Sequence, residues 1–527
     1  MKLYYILSLI PAFLYLLYKS KKAMHMLQQN WYNDNDRYIN WIFDNKSKIF
    51  LIFDLLFVVF IFLKDNLLII SFILFYIVAF FIHRNKVKNE QSKKPLVITA
   101  RIKRLYTTLI IVYLLLIYVT TIMWFNPLNM SFYYFYVSLI IYINYLFVYL
   151  CNVINKPIEL LVKNHYLRMA KSKLASMTNL KRVAITGSFG KTSTKHILNE
   201  ILNVKYNSFA TAKSYNTMNG LMISINNMLD KFNDIFIAEM GAFTNGEIKR
   251  KTAFIKPQYG IITVIGEAHL ESFGTLENTT RAKFELVDGL PDDGVAILNM
   301  DDKYQVSYDR KSKCRVIWVS TKNRDADVYA DNVKLSSSGM KFDVSFKGMK
   351  KPVSFETKLL GFKNIYNIIE SLALANELGL TPEQMQIGVK RLKAIEHRLE
   401  LKKYGNIDII DDAYNSNPSG AKMALEVLSM MDGKKIVVTP GMIELGDKQY
   451  EENKKLGLEI ADVCDEVILI GEEQTKPIMD GLKEKKYDEK HIHVLKDVKL
   501  AFPLMKKLSS DKTYVLLEND LPDMFNE

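Results

Sequence analysis

The sequence predicts a multi-domain chain: an N-terminal α-helical transmembrane segment, a central α/β P-loop domain and a C-terminal Rossmann-like α/β domain. Three observations carry that prediction. Five apolar runs fill residues 3–154, a glycine-rich turn follows a β-rich stretch at Gly187, and strands and helices alternate after Gly405.

The apolar runs come first. Residues 3–18, 49–63, 67–82, 105–125 and 132–154 are each strongly apolar. A spanning helix needs roughly 20 apolar residues, which the last two supply and the first three approach with their flanks. The flanking charge tests the arrangement. Loop 19–48 holds six Lys/Arg and loop 83–104 holds eight, whereas turns 64–66 and 126–131 hold one and none. Alternate rich and poor loops predict five spans with the N-terminus outside and everything after residue 155 in the cytoplasm. A bent hairpin over 49–82 that never crosses is the alternative, because Asp54 inside that run is costly in lipid.

Charge separates the same regions. Residues 1–182 carry 23 Lys/Arg against 7 Asp/Glu, so the remaining 47 basic and 50 acidic residues nearly balance. The formal +13 thus belongs to the first third. Its basic residues flank apolar segments, so anionic lipid headgroups rather than nucleic acid are the expected partner. Residues 156–182 interleave Lys and Arg with Leu and Met and read as a basic amphipathic linker against the inner leaflet, or as a plain solvated helix. Cys151, Cys314 and Cys464 are far apart and form no disulfide or metal-ligand spacing.

The glycine turn is the chemical centre. The run Leu180–Thr186 is β-rich, Gly187-Ser188-Phe189-Gly190-Lys191-Thr192-Ser193 follows, and Ile197, Leu198, Ile201 and Leu202 give a helical period. Strand, glycine loop and helix place backbone N–H groups around phosphates, with Lys191 reaching the β/γ-phosphates and the Thr192 hydroxyl available to Mg²⁺. The spacing G-x-x-G-K-T is two residues shorter than the general phosphate loop. A chance glycine turn remains open on spacing alone. Ile235–Ala238 is a second apolar strand, and it ends at Glu239, a carboxylate suited to hold Mg²⁺ or a strand-end ion pair.

Further motifs follow in order: Asn216-Thr217-Met218-Asn219-Gly220, Ala238–Ala242, Gly266–Glu271, Arg281–Glu285, Gly361–Asn367, His397-Arg398, Asp411–Pro418 and Gly441–Gly446. Together with the short loop they resemble the Mur ligases and folylpolyglutamate synthases. The resemblance is nearest to the branch that adds D-Ala-D-Ala to the UDP-MurNAc-tripeptide, and it covers about Val183 to residue 500. It implies an ADP-forming carboxylate–amine ligase that uses ATP and two Mg²⁺ sites. In the implied reaction an acceptor carboxylate becomes an acyl phosphate, and an amine then displaces phosphate.

By the same resemblance Lys191, Lys283, His269 and Arg398 form the catalytic set. Thr192, Glu239, His269 and Lys283 (the last as a carbamate) hold metal. Gly187, Ser188, Gly190, Ser193, Asn364, Asn367, Asp412, Asn415 and Asn417 join Lys191, Thr192 and Arg398 on the nucleotide, with Asn364 and Asn367 by the adenine. Asn216 and Thr217 meet substrate. A structural histidine, a surface lysine on a helix over 279–288, and helix-surface asparagines are the alternatives for His269, Lys283 and the 364/367 pair.

The rest of the pattern predicts a hairpin around Ser336–Gly339 and helices at 364–378 and 382–394. A second unit follows with strands 407–410, 435–438 and 466–470 and helices 418–431 and 450–463. Expected boundaries are 1–155 transmembrane, 156–182 linker, 183–395 central ATPase domain and 396–527 C-terminal domain.

Three departures from the family matter. Lys363 stands where the family usually has His. The C-terminal Lys-Gly-Ser-Arg motif has no counterpart in the acidic stretch Val515-Leu516-Leu517-Glu518-Asn519-Asp520-Leu521-Pro522, which puts D-Ala-D-Ala in doubt as the amine. The apolar segment stands where the UDP-sugar-binding domain is expected. The resulting expectation is a multi-pass enzyme of the bacterial cell membrane with cytoplasmic catalytic domains. It would join an amino acid or peptide to a membrane-linked glycan or polymer acceptor, such as a peptidoglycan or surface-polysaccharide precursor. The alternatives are a D-Ala-D-Ala-adding murein ligase with an extra anchor, and a membrane ATPase that makes no bond.

Overall fold

The computed structural model describes residues 7–33, 36–50, 52–88, 95–124, 130–266, 273–414, 416–443 and 445–520. The chain divides into two compact units, Met1–His165 and Tyr166–Glu527.

The first unit is helical: Ile10–Gln29, Arg37–Asp44, a 3₁₀ segment Ile52–Phe62, Asp65–Lys88, Ala100–Trp124, Met130–Tyr142 and the start of Asn144–Ser176. Aromatic rings fill its core, with Phe72 against Tyr134 at 4.4 Å and Tyr76 at 4.8 Å between centroids. Three helices have the length and hydropathy of a membrane span, within Asn66–Asn85, Ala100–Met123 and Asn144–Ser176. Ile52–Phe62 and Met130–Tyr142 are apolar but shorter.

Three sequence expectations change here. The run 132–154 is not one span, because the helix breaks between Tyr142 and Asn144. The second piece then continues unbroken to Ser176, so the basic segment after 156 is the end of that helix rather than a separate linker. Lys19 is likewise not part of a loop. It lies inside Ile10–Gln29, is buried, and its Nζ sits 3.2 Å from Asp54 Oδ2. The Tyr15 hydroxyl donates to the same carboxylate at 3.2 Å, and His83 Nε2 lies 3.3 Å from Oδ1. Asp54 therefore has a counter-charge, which removes the objection that a lone carboxylate raised against this run. Lys19 is a second ionisable group within the apolar region.

The second unit contains two sheets. In the first, the order is β2-β3-β1-β4-β5-β6-β7-β8-β9. Its strands are β1 Lys181–Thr186, β2 Ser208–Ala210, β3 Ile235–Glu239, β4 Tyr259–Ile262, β5 Val295–Asn299, β6 Arg315–Ser320, β7 Val328–Ser336, β8 Gly339–Phe346 and β9 Val353–Thr357. The pairs from β2 to β7 are parallel, and β7-β8-β9 form an antiparallel extension. Parallel strands covered on both faces read as unbroken apolar runs, which is what Val183–Ile185 and Ile235–Ala238 are. Helices Lys191–Leu202, Asn364–Glu377 and Pro382–Arg391 pack on one face, and Met218–Asn227 and Glu247–Ile255 lie on the other. Because β1 lies between β3 and β4, successive crossovers leave in opposite directions there. A cleft opens at the carboxyl ends of such strands.

The second sheet has the order β10-β11-β15-β12-β13-β14, with β10 Glu400–Tyr404, β11 Ile407–Asp412, β12 Lys434–Thr439, β13 Glu466–Ile470, β14 Ile492–Leu495 and β15 Thr513–Glu518. All its pairs are parallel except β10 with β11. The helix expected at 279–288 is Leu276–Phe284 followed by a 3₁₀ turn.

Removing one member of a buried ion pair leaves the other unpaired, at a cost of about 3–5 kcal/mol, whereas replacing both is nearly neutral. Asp54→Leu is therefore expected to lower the melting temperature of the detergent-solubilised protein sharply. The double change Lys19→Met with Asp54→Leu recovers most of that loss.

Candidate active site

β1 ends at Thr186, and the chain turns back at two glycines that no other residue can replace cheaply. Gly187 has φ +150°, and a Cβ there would lie 1.9 Å from Thr263 Oγ1. Gly190 has φ +82°, and its Cβ would lie 2.7 Å from Asn367 Oδ1. Between them Ser188 N donates to Val264 O at 2.8 Å, and Ser188 Oγ donates to Gly266 O at 2.9 Å. The helix starts at Lys191, so the N–H groups of its first turn, Ser193 included, open toward the loop. Lys191 Nζ folds back onto Gly187 O and Ser188 O, both at 2.8 Å.

Under the loop lies Glu239, at the end of β3 and buried. Its Oε1 accepts from Thr192 Oγ1 at 3.0 Å and from Asn216 Nδ2 at 3.2 Å, while Lys195 Nζ is 3.0 Å from Oε2. Burial alone would push the Glu239 carboxyl up, but the charges of Lys195 and Lys191 hold it below its ordinary range. Burial lowers Lys191 to about 8, opposed by Glu239 and assisted by Arg398. Lys283 is buried on helix Leu276–Phe284, with its Nζ over the Phe273 ring at 5.4 Å. Among the described residues it has no ion pair. Burial first, then the charges of Lys191 and Lys251, push its amine well down.

The remaining expected residues fall into two groups. Asn367 packs on the phosphate loop, accepting from Thr194 Oγ1 at 3.1 Å and donating to Asn364 Oδ1 at 2.9 Å. Thr217 caps helix Met218–Asn227 by accepting from Gly220 N at 3.1 Å. On the second sheet's side, Arg398 stacks on Tyr414 at 4.4 Å, and Asp412 Oδ1 accepts from Leu399 N at 3.1 Å. Asn417 caps helix Pro418–Ser429 through Gly420 N at 3.0 Å. The Tyr414 hydroxyl donates to Ser214 Oγ at 2.7 Å, bridging the two sheets' domains. His269 and Asn415 lie outside the described residues.

Comparison with known proteins identifies this arrangement. Residues 185–375 match the Mur ligase middle domain, and residues 397–518 match the Mur ligase, glutamate ligase domain. The chain belongs to the Mur ligase family. Among curated relatives, it is 32% identical over 309 residues to UDP-N-acetylmuramoyl-tripeptide--D-alanyl-D-alanine ligase of Bacillus subtilis, covering 58% of this chain and 65% of that one. The Escherichia coli protein of the same name is 31% identical over 294 residues, covering 55% and 64%. This Mur ligase therefore spans about two thirds of the length of these relatives. Among solved structures, MurF from Acinetobacter baumannii aligns with a TM-score of 0.61 at 24% identity, over 68% of this chain and 77% of that one. MurF ligase from Thermotoga maritima in complex with ADP aligns at 0.59 and 24%, over 68% and 80%. These two share the fold.

The residues present fit a nucleotide and a divalent cation. Thr192 and Glu239 offer hard oxygen donors 3.0 Å apart, the set that Mg²⁺ prefers, beside a helix N-terminus that suits phosphate. Lys195 and Lys251 of this Mur ligase were not foreseen. Lys195 lies one helical turn after Lys191, and that i,i+4 spacing was the available signal. Lys251 signals itself only through its buried contact with Gly241 O in the folded state.

Asp412 is pushed up to about 6, mainly by burial and then by Asp411, against the pull of Leu399 N–H and Arg398. An acid with a raised native pKa binds its proton more tightly folded than unfolded. Its contribution is thus full below about 4 and is lost as pH rises through about 6. Asp412→Asn is expected to raise the melting temperature at pH 7, by at most about 3 kcal/mol of stability, and to leave it unchanged at pH 4. Thermal unfolding at the two pH values reads this.

Proposed function

We propose that this chain is an ATP-dependent, ADP-forming amide-bond ligase acting on a carboxylate of a membrane-associated cell-wall or surface-polymer precursor. The amine partner is an amino acid or short peptide. The observation that carries the reading is the junction of Thr192, Glu239, Lys191 and Lys195 beneath a glycine loop, with a second α/β domain bearing Arg398 and Asp412.

The chemistry follows from those positions. The loop N–H groups and Lys191 orient the β- and γ-phosphates, and Lys191 leaves the carbonyls of Gly187 and Ser188 to do so. Thr192 and Glu239 would hold Mg²⁺, which would supply charge neutralisation for the phosphates. Lys195 fixes the Glu239 carboxylate in place from behind. Lys283, its amine pushed well down by burial and by the charges of Lys191 and Lys251, is suited to carbamylation, which would give it a metal-binding carboxylate. Arg398 approaches from the second domain and meets the transferring phosphoryl group. The acceptor carboxylate oxygen attacks the γ-phosphorus and ADP leaves. The amine nitrogen then attacks the acyl carbon, the C–N bond forms and phosphate departs. Asn364, Asn367, Asn415 and Asn417 would complete the nucleotide contacts, His269 would hold a second Mg²⁺, and Asn216 and Thr217 would meet substrate.

The first unit supports a membrane location for this reaction. Ile70, Leu74, Ile77, Val78 and Phe81 on one helix, and Ile110, Ile111, Leu114, Leu115, Tyr118 and Ile122 on another, are exposed. Apolar stripes of this extent are unfavourable in water and are satisfied in hydrocarbon. The basic flanks of the apolar runs support a cytoplasmic location for the catalytic domains. A second reading, a D-Ala-D-Ala-adding enzyme that takes the soluble UDP-linked precursor, draws on the names of its relatives.

Ligation in detergent with lipid-linked and UDP-linked acceptors separates the two. The proposal expects preference for the lipid-linked acceptor, and preference for the soluble one favours the second reading. In the same assay Lys191→Ala is expected to lower ATP turnover by at least about 10³-fold, the scale of losing a phosphate-positioning charge. Unchanged turnover removes the phosphate-loop assignment.

A further inference from the structure

The buried carboxylates of the second sheet are neutralised by cations, with one exception. Asp411 has Lys402 Nζ at 2.7 Å and His397 Nδ1 at 2.8 Å. Glu466 has Lys434 at 2.9 Å and His493 at 3.0 Å. Glu518, with 1% of its surface exposed, has no cation within ion-pair distance among the described residues. Its Oε1 accepts from Ser416 Oγ at 2.5 Å, and its Oε2 is buried with no hydrogen-bond partner among the described residues.

The position of this carboxyl is informative. Glu518 is the last residue of β15, a central strand, and stands in register with Asp412 at the end of β11. The two acids thus share the carboxyl-terminal edge of a parallel sheet, where ligands bind. Asn519 braces the edge, with φ +71°, its Nδ2 donating to Gly441 O at 2.6 Å and its Oδ1 accepting from Ser416 N at 3.2 Å. Arg398, which stacks on Tyr414, links this edge toward the phosphate loop, because the Tyr414 hydroxyl donates to Ser214 Oγ, two residues before Asn216, which donates to Glu239. Arg398 itself is stacked on Tyr414 and does not pair with Glu518. An uncompensated acid pair with a free, buried oxygen lacks one thing, a positive group from outside the protein.

We infer that Glu518, with Asp412 opposite, is the docking point for the ammonium group of the amine substrate. This rests on the ligase reading and names how its second substrate is held. The amine arrives as R–NH₃⁺ and must lose a proton before its lone pair can attack. Glu518 accepts that proton, nitrogen bonds to the acyl carbon, the acyl–oxygen bond to phosphate breaks, and the departing phosphate takes the second proton that nitrogen sheds. Burial and Asp412 raise the Glu518 carboxyl above its ordinary range, and an ammonium placed beside it stabilises the ionised form that receives the proton. Recognition through the ammonium also makes a free carboxylate on the donor dispensable.

The test uses the full-length protein in detergent with a non-hydrolysable ATP analogue and Mg²⁺, titrated calorimetrically with alaninamide, N-acetylalaninamide and D-alanyl-D-alanine. Alaninamide is expected to bind and N-acetylalaninamide not to. Glu518→Gln, which keeps the shape and the Ser416 hydrogen bond, is expected to weaken alaninamide at least tenfold while leaving the analogue's affinity within twofold. Equal alaninamide affinity in wild type and variant overturns the inference. So does failure of the wild type to bind alaninamide, displacement of alaninamide by K⁺ alone, or loss of nucleotide affinity in the variant. If alaninamide binding depends on Glu518 but no acceptor yields amine-dependent ADP, the ligase reading fails and the site stands. If ligation proceeds and Glu518→Gln leaves the KM for amine unchanged, the site fails and the ligase reading stands.

Discussion

The Glu239 carboxylate sits where three lines of structure converge. β3 delivers it to the end of the sheet, the phosphate-loop helix reaches it through Thr192 and Lys195, and the following loop reaches it through Asn216. A fully buried acid of this kind is tolerated only because Lys195 supplies a charge at 3.0 Å and two neutral donors fill its other oxygen. The same contacts fix the first turn of the helix and hence the direction of its N–H groups. The loop geometry, the metal-binding chemistry and the position of Lys191 all depend on that one anchored carboxylate. Replacing it with an amide would leave Lys195 buried without a counter-charge.

Charge is managed differently elsewhere in the molecule. In the first unit Lys19 and Asp54 neutralise each other inside an aromatic core, with Tyr15 and His83 completing the carboxylate's bonds. At the phosphate loop, the N-terminus of helix Lys191–Leu202 and the Lys191 amine leave a region that attracts anions. At the edge of the second sheet, Asp412 and Glu518 exceed the available base, leaving a region that attracts a cation. A reaction joining an anionic acceptor to a cationic donor calls for this division across one cleft.

Much of the α/β framework was legible in the chain because buried parallel strands are continuous apolar runs. β3 and β13 were bounded closely for that reason, and the glycines at 187 and 190 marked the loop because their backbone angles exclude other residues. What was not legible depended on partners remote in sequence. Lys19 read as the start of a basic flank since Lys21 and Lys22 follow it, and its partner Asp54 lies 35 residues away. The break beside Ile143 interrupts a stretch of apolar and aromatic residues that carries no glycine or proline to announce it. Thr217 and Asn417 read as ligand contacts, while their side chains also cap helices. Glu518 read only as an acidic departure from a basic motif. That it lacks a cation emerges when β15 is set between β11 and β12.

The central claim is that phosphate is transferred to a carboxylate and then displaced by an amine. An acceptor labelled with ¹⁸O in its carboxylate tests this most directly, with the released phosphate analysed by mass spectrometry during ligation by the full-length protein. The account predicts one ¹⁸O in each phosphate formed, in step with ADP and requiring both acceptor and amine. Phosphate whose new oxygen comes only from water, released without the amine, would contradict it and mark the chain as an ATPase.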